Sequence, residues 1–130
     1  MPNISIPATD IGYGVVQTLS KKVTFADNGV AKTLGTLPAG AIVVDAGVVV
    51  TTAFNAGTSN TLNIGVTADD DGLATLLALG TIGSITWDER ATSNDVYQSA
   101  DQAATATVVL TGTAATAGVG YVYVNFVVVR

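Results

Sequence analysis

One valine-rich run, Ala41-Ile42-Val43-Val44-Asp45-Ala46-Gly47-Val48-Val49-Val50-Thr51-Thr52-Ala53-Phe54, sets the architecture of the chain. It is rich in β-branched residues and lacks a helical apolar stripe, so it reads as a long β-strand. Strict alternation puts Ile42, Val44, Ala46, Val48, Val50 and Phe54 on one face. Val43, Asp45, Gly47, Val49 and Ala53 fall on the other. Both faces are nearly apolar, as expected for a central strand covered on both sides. Pro38-Ala39-Gly40 marks the turn that enters it, with proline at the second turn position. The loop Asn55-Ala56-Gly57-Thr58-Ser59-Asn60 ends it.

Outward from that strand, the pattern continues in short β segments. Residues 21–26 alternate, with Val23 and Phe25 facing one way and Lys22 and Thr24 the other. Asn28-Gly29 follows and predicts a tight hairpin returning over about residues 30–36. Downstream, Thr61 to Thr67 is a strand with Leu62, Ile64 and Val66 inward, closed by an Asp69-Asp70-Asp71-Gly72 turn. Leu73, Leu76 and Leu77 have helical spacing between a capping Asp and Gly80, which predicts one short helix over 73–79. Strands are expected at Ile82 to Trp87, near Val96-Tyr97, at Thr105 to Thr111 and at Val119 to Val129. About eight strands with turn signals every ten residues or so predict an all-β, single-domain β-sandwich of jelly-roll type. Residues 17–130 form this domain in the reading. Residues 1–16, with Pro2, Pro7, Gly12 and Gly14, form an extended N-terminal arm.

Composition narrows the function. The chain has 130 residues, enough for one domain with a full core. It contains neither histidine nor cysteine. This removes Ser-His-Asp and Cys-His catalysis, disulfides and thiolate metal sites. Asp88 and Glu89 are adjacent and would point to opposite faces of a strand, so no catalytic carboxylate pair is expected, and no enzyme. Net charge is −5, and the five basic residues form no stripe, which argues against nucleic-acid binding. Charged residues are 12% of the chain while hydrophobic ones reach 48%. No apolar run approaches the length of a membrane helix. The N-terminus has no positively charged segment leading into an apolar one, so it does not read as a signal peptide. A surface so poor in charge is reconciled most simply by burial against other subunits, hence a homo-oligomer.

Few residues stand out as sites. Asp69, Asp70 and Asp71 are weak metal-ligand candidates, because they lack the alternate spacing and distal Glu of a calcium loop. Their plainer reading is a solvated turn, and no cofactor is expected. Trp87 and the same-face pair Tyr121 and Tyr123 suit core or interface packing better than sugar stacking. Ile4, Ile6, Ile11 and Val15 on the arm, together with Tyr121 and Tyr123, are the interface candidates.

The segment LPAGAIVVDAGVVVTTAFNAGTSNTLNIGVTADDDGLA, from Leu37 onward, resembles small structural proteins of tailed-bacteriophage virions. A proline turn, a long strand, the Phe54-to-Thr58 loop, a second strand and an acidic Asp-Gly turn recur in that order. Gly120-Tyr121-Val122-Tyr123-Val124 is similar to their final strand. The likeness covers about half the chain and carries no catalytic motif. It implies a capsid decoration (cement) or head-fibre protein, often trimeric, on the outer capsid surface with the major capsid protein as partner. A receptor- or glycan-binding module of a head or tail fibre is the alternative.

Overall fold

The computed structural model describes residues 15–86 and 96–129. Eight strands form: β1 (Gln17–Thr24), β2 (Ala31–Leu37), β3 (Ala41–Thr52), β4 (Ser59–Val66), β5 (Asp69–Ala78), β6 (Gly83–Thr86), β7 (Gln102–Thr111) and β8 (Val119–Val128). They make two antiparallel sheets, ordered β1-β8-β3-β6 and β2-β7-β4-β5. Partners β1·β8, β2·β7, β3·β6 and β4·β5 nest inside one another. The chain behaves as one long hairpin, folded at the β4–β5 turn and rolled so that β8 meets β3 and β7 meets β4. That is the jelly roll, and the expected sandwich class holds.

The core lies between the sheets. One sheet contributes Val23, Val43, Ala46, Val48, Val50, Val122, Val124 and Phe126. The other contributes Leu37, Leu62, Ile64, Val66, Leu73, Leu77, Ala106 and Val108, all buried. Most are β-branched or small, which suits tight stacking of two pleated faces. Leu62, Ile64 and Val66 point inward as their alternation predicts.

Strand β3 departs from strict alternation. Its register against β8 shifts between Val43 and Asp45, placing a bulge at Val44. The inward residues are therefore Ala41 and Val43 before the bulge, then Ala46, Val48 and Val50 after it. Ile42 and Val44, expected inward, are only half-buried, because one extra residue reverses the side-chain phase. The outer face is not covered by a second layer of described residues, and Val49 is exposed there.

The Asn28-Gly29 hairpin is corrected too. Gly29 does take a positive φ of 77°, but β1 and β2 enter different sheets. Asn28 instead docks on β7: Leu110 N–H donates to its Oδ1 at 2.8 Å and its Nδ2 donates to the Leu110 carbonyl at 3.2 Å. A short 3-10 turn, Phe25–Asp27, precedes it, so Phe25 leaves the strand alternation and is partly exposed. The Pro38 turn forms one position later than expected. Ala41 N–H donates to the Pro38 carbonyl at 3.0 Å, making Pro38 the first residue and Gly40, at φ 87°, the third.

The helix over 73–79 is absent; those residues belong mainly to β5. Two bulges insert extra β5 residues opposite β4, between Leu62 and Ile64 and between Ile64 and Val66. They space Leu73, Ala74 and Leu77 like one face of a helix while all three remain buried. Leu76, at φ 55°, is flipped out and 61% exposed, its N–H held by Asn63 Oδ1 at 2.8 Å. The turn before β5 is Thr67-Ala68, and Asp69 to Asp71 open the strand rather than forming the turn. Near Tyr97 only an isolated bridge to Ile42 forms, so β5 supplies the eighth strand. Trp87, Asp88 and Glu89 lie outside the described residues.

Val48, fully buried on β3, tests the packing. Val48→Asp would bury an unpaired charge between the sheets at a cost of several kcal/mol, and the expected outcome is loss of cooperative folding. A thermal melt within a few degrees of wild type would contradict the β3 register.

Candidate interaction surface

Antiparallel winding sorts the loops into two ends. The β1–β2, β3–β4, β5–β6 and β7–β8 connections gather at one end, and the remaining described connections and the start of β1 at the other. Asp27 is the one charged residue in the first group of loops. Burial pushes the Asp27 carboxyl up, but the Thr24 backbone N–H, 2.8 Å away, and Lys32, 3.4 Å away, outweigh this and hold it below its ordinary value. Phe25, Val30 and Ile82 are exposed at this end.

These loops are tied to one another. Asn55 Oδ1 accepts from Thr116 N–H at 2.8 Å and Ala117 N–H at 3.1 Å, while its Nδ2 donates to Thr116 Oγ1 at 2.9 Å. Gly57 N–H donates to the Thr113 carbonyl at 2.9 Å. Between them lies a shallow cleft of about 230 Å³, reaching from Phe25 and Asn28 to Ala114 and Ala115. The end is thus a neutral, partly apolar and internally braced surface, suited to contact with another protein rather than to chemistry.

The outer face of the β1-β8-β3-β6 sheet holds the predicted tyrosines. Cross-strand register aligns Lys22, Tyr121, Val49 and Ser84 in one row, and Ser20, Tyr123, Gly47 and Thr86 in the next. Tyr123 lies across β3 because Gly47 has no side chain; a Cβ there would stand 2.8 Å from the Tyr123 hydroxyl. Burial first, and then the nearby Asp45 charge, push the Tyr123 phenol up, while a hydrogen bond with Ser84 opposes them. Tyr121 is 46% exposed, so of this pair it is the one presented to solvent. Sequence reasoning found the tyrosine pair through its period of two. It missed Lys22, Val49 and Ser84, whose place beside the pair depends on strand order.

Val15 lies just before β1 and is 51% exposed. Ile4, Ile6 and Ile11 lie outside the described residues. Asp69, Asp70 and Asp71 do come together, each offering a carboxylate oxygen within 4.8 Å of the others. A hydrogen bond that the protonated Asp71 carboxyl donates to Asp69 first, then burial and the charges of Asp69 and Asp70, push the Asp71 carboxyl up. Three carboxylates on an open edge supply about half of the six to eight oxygens that calcium takes.

No family model and no curated relative matches the sequence. Among solved structures, a chain of the cyanophage Pam1 capsid asymmetric unit is similar at a TM-score of 0.67 and 19% identity, over 99% of this chain and 100% of that one. A chain of the acidic stable capsid structure of Helicobacter pylori bacteriophage KHP30 is similar at 0.66 and 19%, over 89% and 90%. At that identity the likeness is one of fold.

Two measurements follow from the acidic cluster. The raised Asp71 value means that the folded state holds this proton more tightly than the unfolded chain does. Stability should therefore fall as pH rises through that raised value and recover below it. Asp71→Asn is expected to raise the melting temperature slightly near neutral pH, by about 1–2 °C. The difference should fade in acid, below the ordinary carboxylate range. Chelation by EDTA should leave the melting temperature unchanged; a large drop restored by calcium would instead make the cluster a structural metal site.

Proposed function

We propose that this domain is a structural protein of a bacteriophage virion that decorates the outside of the capsid and braces neighbouring shell subunits. The observation that carries the reading is the full-length match to a chain of a phage capsid asymmetric unit. Both chains are covered almost end to end, so the likeness takes in the whole sandwich. Composition supports the same reading. A surface with few charges, a neutral braced loop end and an open sheet face are what a protein needs if much of it contacts protein.

The mechanism is additive. Each copy contributes a modest apolar contact with the major capsid protein, and a trimer engages several such contacts at once. Linked contacts raise overall affinity by orders of magnitude without any single strong site, which suits a clamp against the pressure of packaged DNA. The glycan-binding alternative is less well served. A stacking platform needs adjacent free aromatic faces, and of the two tyrosines Tyr123 is committed to Gly47 and Ser84.

Residues 1–16 are the arm in this proposal. Ile4, Ile6, Ile11 and Val15 would be buried on a neighbouring subunit or on the shell. Deleting residues 1–12 should leave the β circular-dichroism signal intact, because β1 begins at Gln17. The same deletion should reduce co-sedimentation with capsids that lack the protein. Full retention of binding would remove the arm from the mechanism, and failure of the intact protein to co-sediment would overturn the decoration reading itself.

A further inference from the structure

The two long sides of the sandwich differ in charge. β1 and β2 lie over one another and are the edge strands of their sheets on one side. They carry Lys21, Lys22 and Lys32, which are all the lysines of the chain. Lys32 pairs with Asp27, whereas Lys21 and Lys22 have no carboxylate partner among the described residues. The opposite side is edged by β6, only four residues long, and by β5, which begins with Asp69, Asp70 and Asp71. Those carboxylates have no basic partner among the described residues either.

The two groups also stand at nearly the same height. Leu19 on β1 packs against Gly35 on β2, where a Cβ would come within 2.8 Å of it. Gly35 is in register with Ala104, one pair below Thr33, Thr105 and Gly65. The Asp69-Asp70 backbone crosses directly against Gly65. Asp70 is therefore about one step above the Leu19 level, and Lys21 is two steps above it on its own strand. Thr105, opposite Gly65, is 8% exposed, and its hydroxyl has no hydrogen-bond partner among the described residues.

We propose that copies of this chain associate head to tail, the Lys21–Lys22 edge of one copy against the Asp69–Asp71 edge of the next, closing into a ring. This rests on the oligomeric reading above and specifies which surfaces meet. Like edges repel: β1 against β1 brings four lysines together, and β5 against β5 brings six carboxylates together. The unlike pairing sets two lysines against three carboxylates, relieving the repulsion at both edges, and leaves the neutral loop end of every copy facing the same way. A repeated unlike contact is heterologous, and a rotation that closes gives a ring.

The test is charge reversal read by analytical ultracentrifugation, with the wild type run near 0.1 M and near 1 M salt. Lys21→Glu with Lys22→Glu, and separately Asp70→Lys with Asp71→Lys, should each weaken association at least about tenfold. The chain carrying all four changes should regain it, because its edges are complementary again. High salt should weaken the wild type, since screening shortens to about 3 Å near 1 M. Circular dichroism checks that each variant is folded. If the four-change chain failed to fold, the milder chain Lys22→Glu with Asp70→Lys, read against its two single variants, offers the same rescue. A wild-type monomer, or an oligomer indifferent to both reversals and to salt, would overturn the edge pairing. Capsid co-sedimentation of the same variants reads the decoration role separately, since binding by a monomer would leave that role standing.

Discussion

Strand β8 pairs with β1 from Gln17↔Phe126 to Thr24↔Val119, and on its other side with β3 from Ala41↔Val128 to Thr52↔Val119. The last strand of the chain thus ties its beginning to its middle. Until β8 is in place, β1 has no strand partner among the described residues and β3 has only the four residues of β6 and the bridge at Tyr97. The β8 residues that face the core, Val122, Val124 and Phe126, complete the layer over Ala106 and Val108. Closure at such sequence separation costs loop entropy before any contact repays it, so slow, highly non-local folding is built into this topology.

That constraint explains where glycine and asparagine fall. Gly47 is empty so that Tyr123 of β8 can lie across β3. Asn28 and Asn55 replace strand partners at the loop end, each answering backbone groups on the β7 and β8 side of the sandwich. Asn28 does not sit in the hairpin turn that Asn28-Gly29 suggests. Each asparagine spends its amide on a long-range contact, and such use is invisible to a reading of local propensity.

The sequence makes the class of fold plain because Val, Thr and turn residues alternate at the spacing of short strands. Ala41 to Thr52, Ser59 to Val66 and Val119 to Val128 are recognisable almost to their ends. What fails is phase. One extra residue at Val44 exchanges the two faces of the first half of β3. The bulges of β5 replace a period of two with the four-residue step of a helix between the buried Leu73 and Leu77. Bulges arise from pairing with a partner strand, so a single segment carries no record of them. The tyrosine pair was legible because it depends only on alternation. The lysine and aspartate edges were not, because an edge exists only once strand order is known.

Edge strands that are long, flat and apolar invite indiscriminate pairing. Three of the four edges are blunted in their own ways: β6 by shortness, β5 by bulges and carboxylates, and β1 by two lysines. Blunting both sides with the same sign would keep copies apart under all conditions. Opposite signs forbid each edge from meeting its own kind and leave a single permitted partner, the other edge of a second copy. Closure is then decided by geometry. Each unlike contact leaves one free edge at either end of a growing row, and an open row would continue into a filament. Under the head-to-tail pairing proposed above, a bounded assembly requires that the row close on itself. The angle between edges must therefore bring the last free lysine edge back to the first free aspartate edge. The twist of the two sheets sets that angle, so the same packing that builds the core would also fix how many copies close the ring.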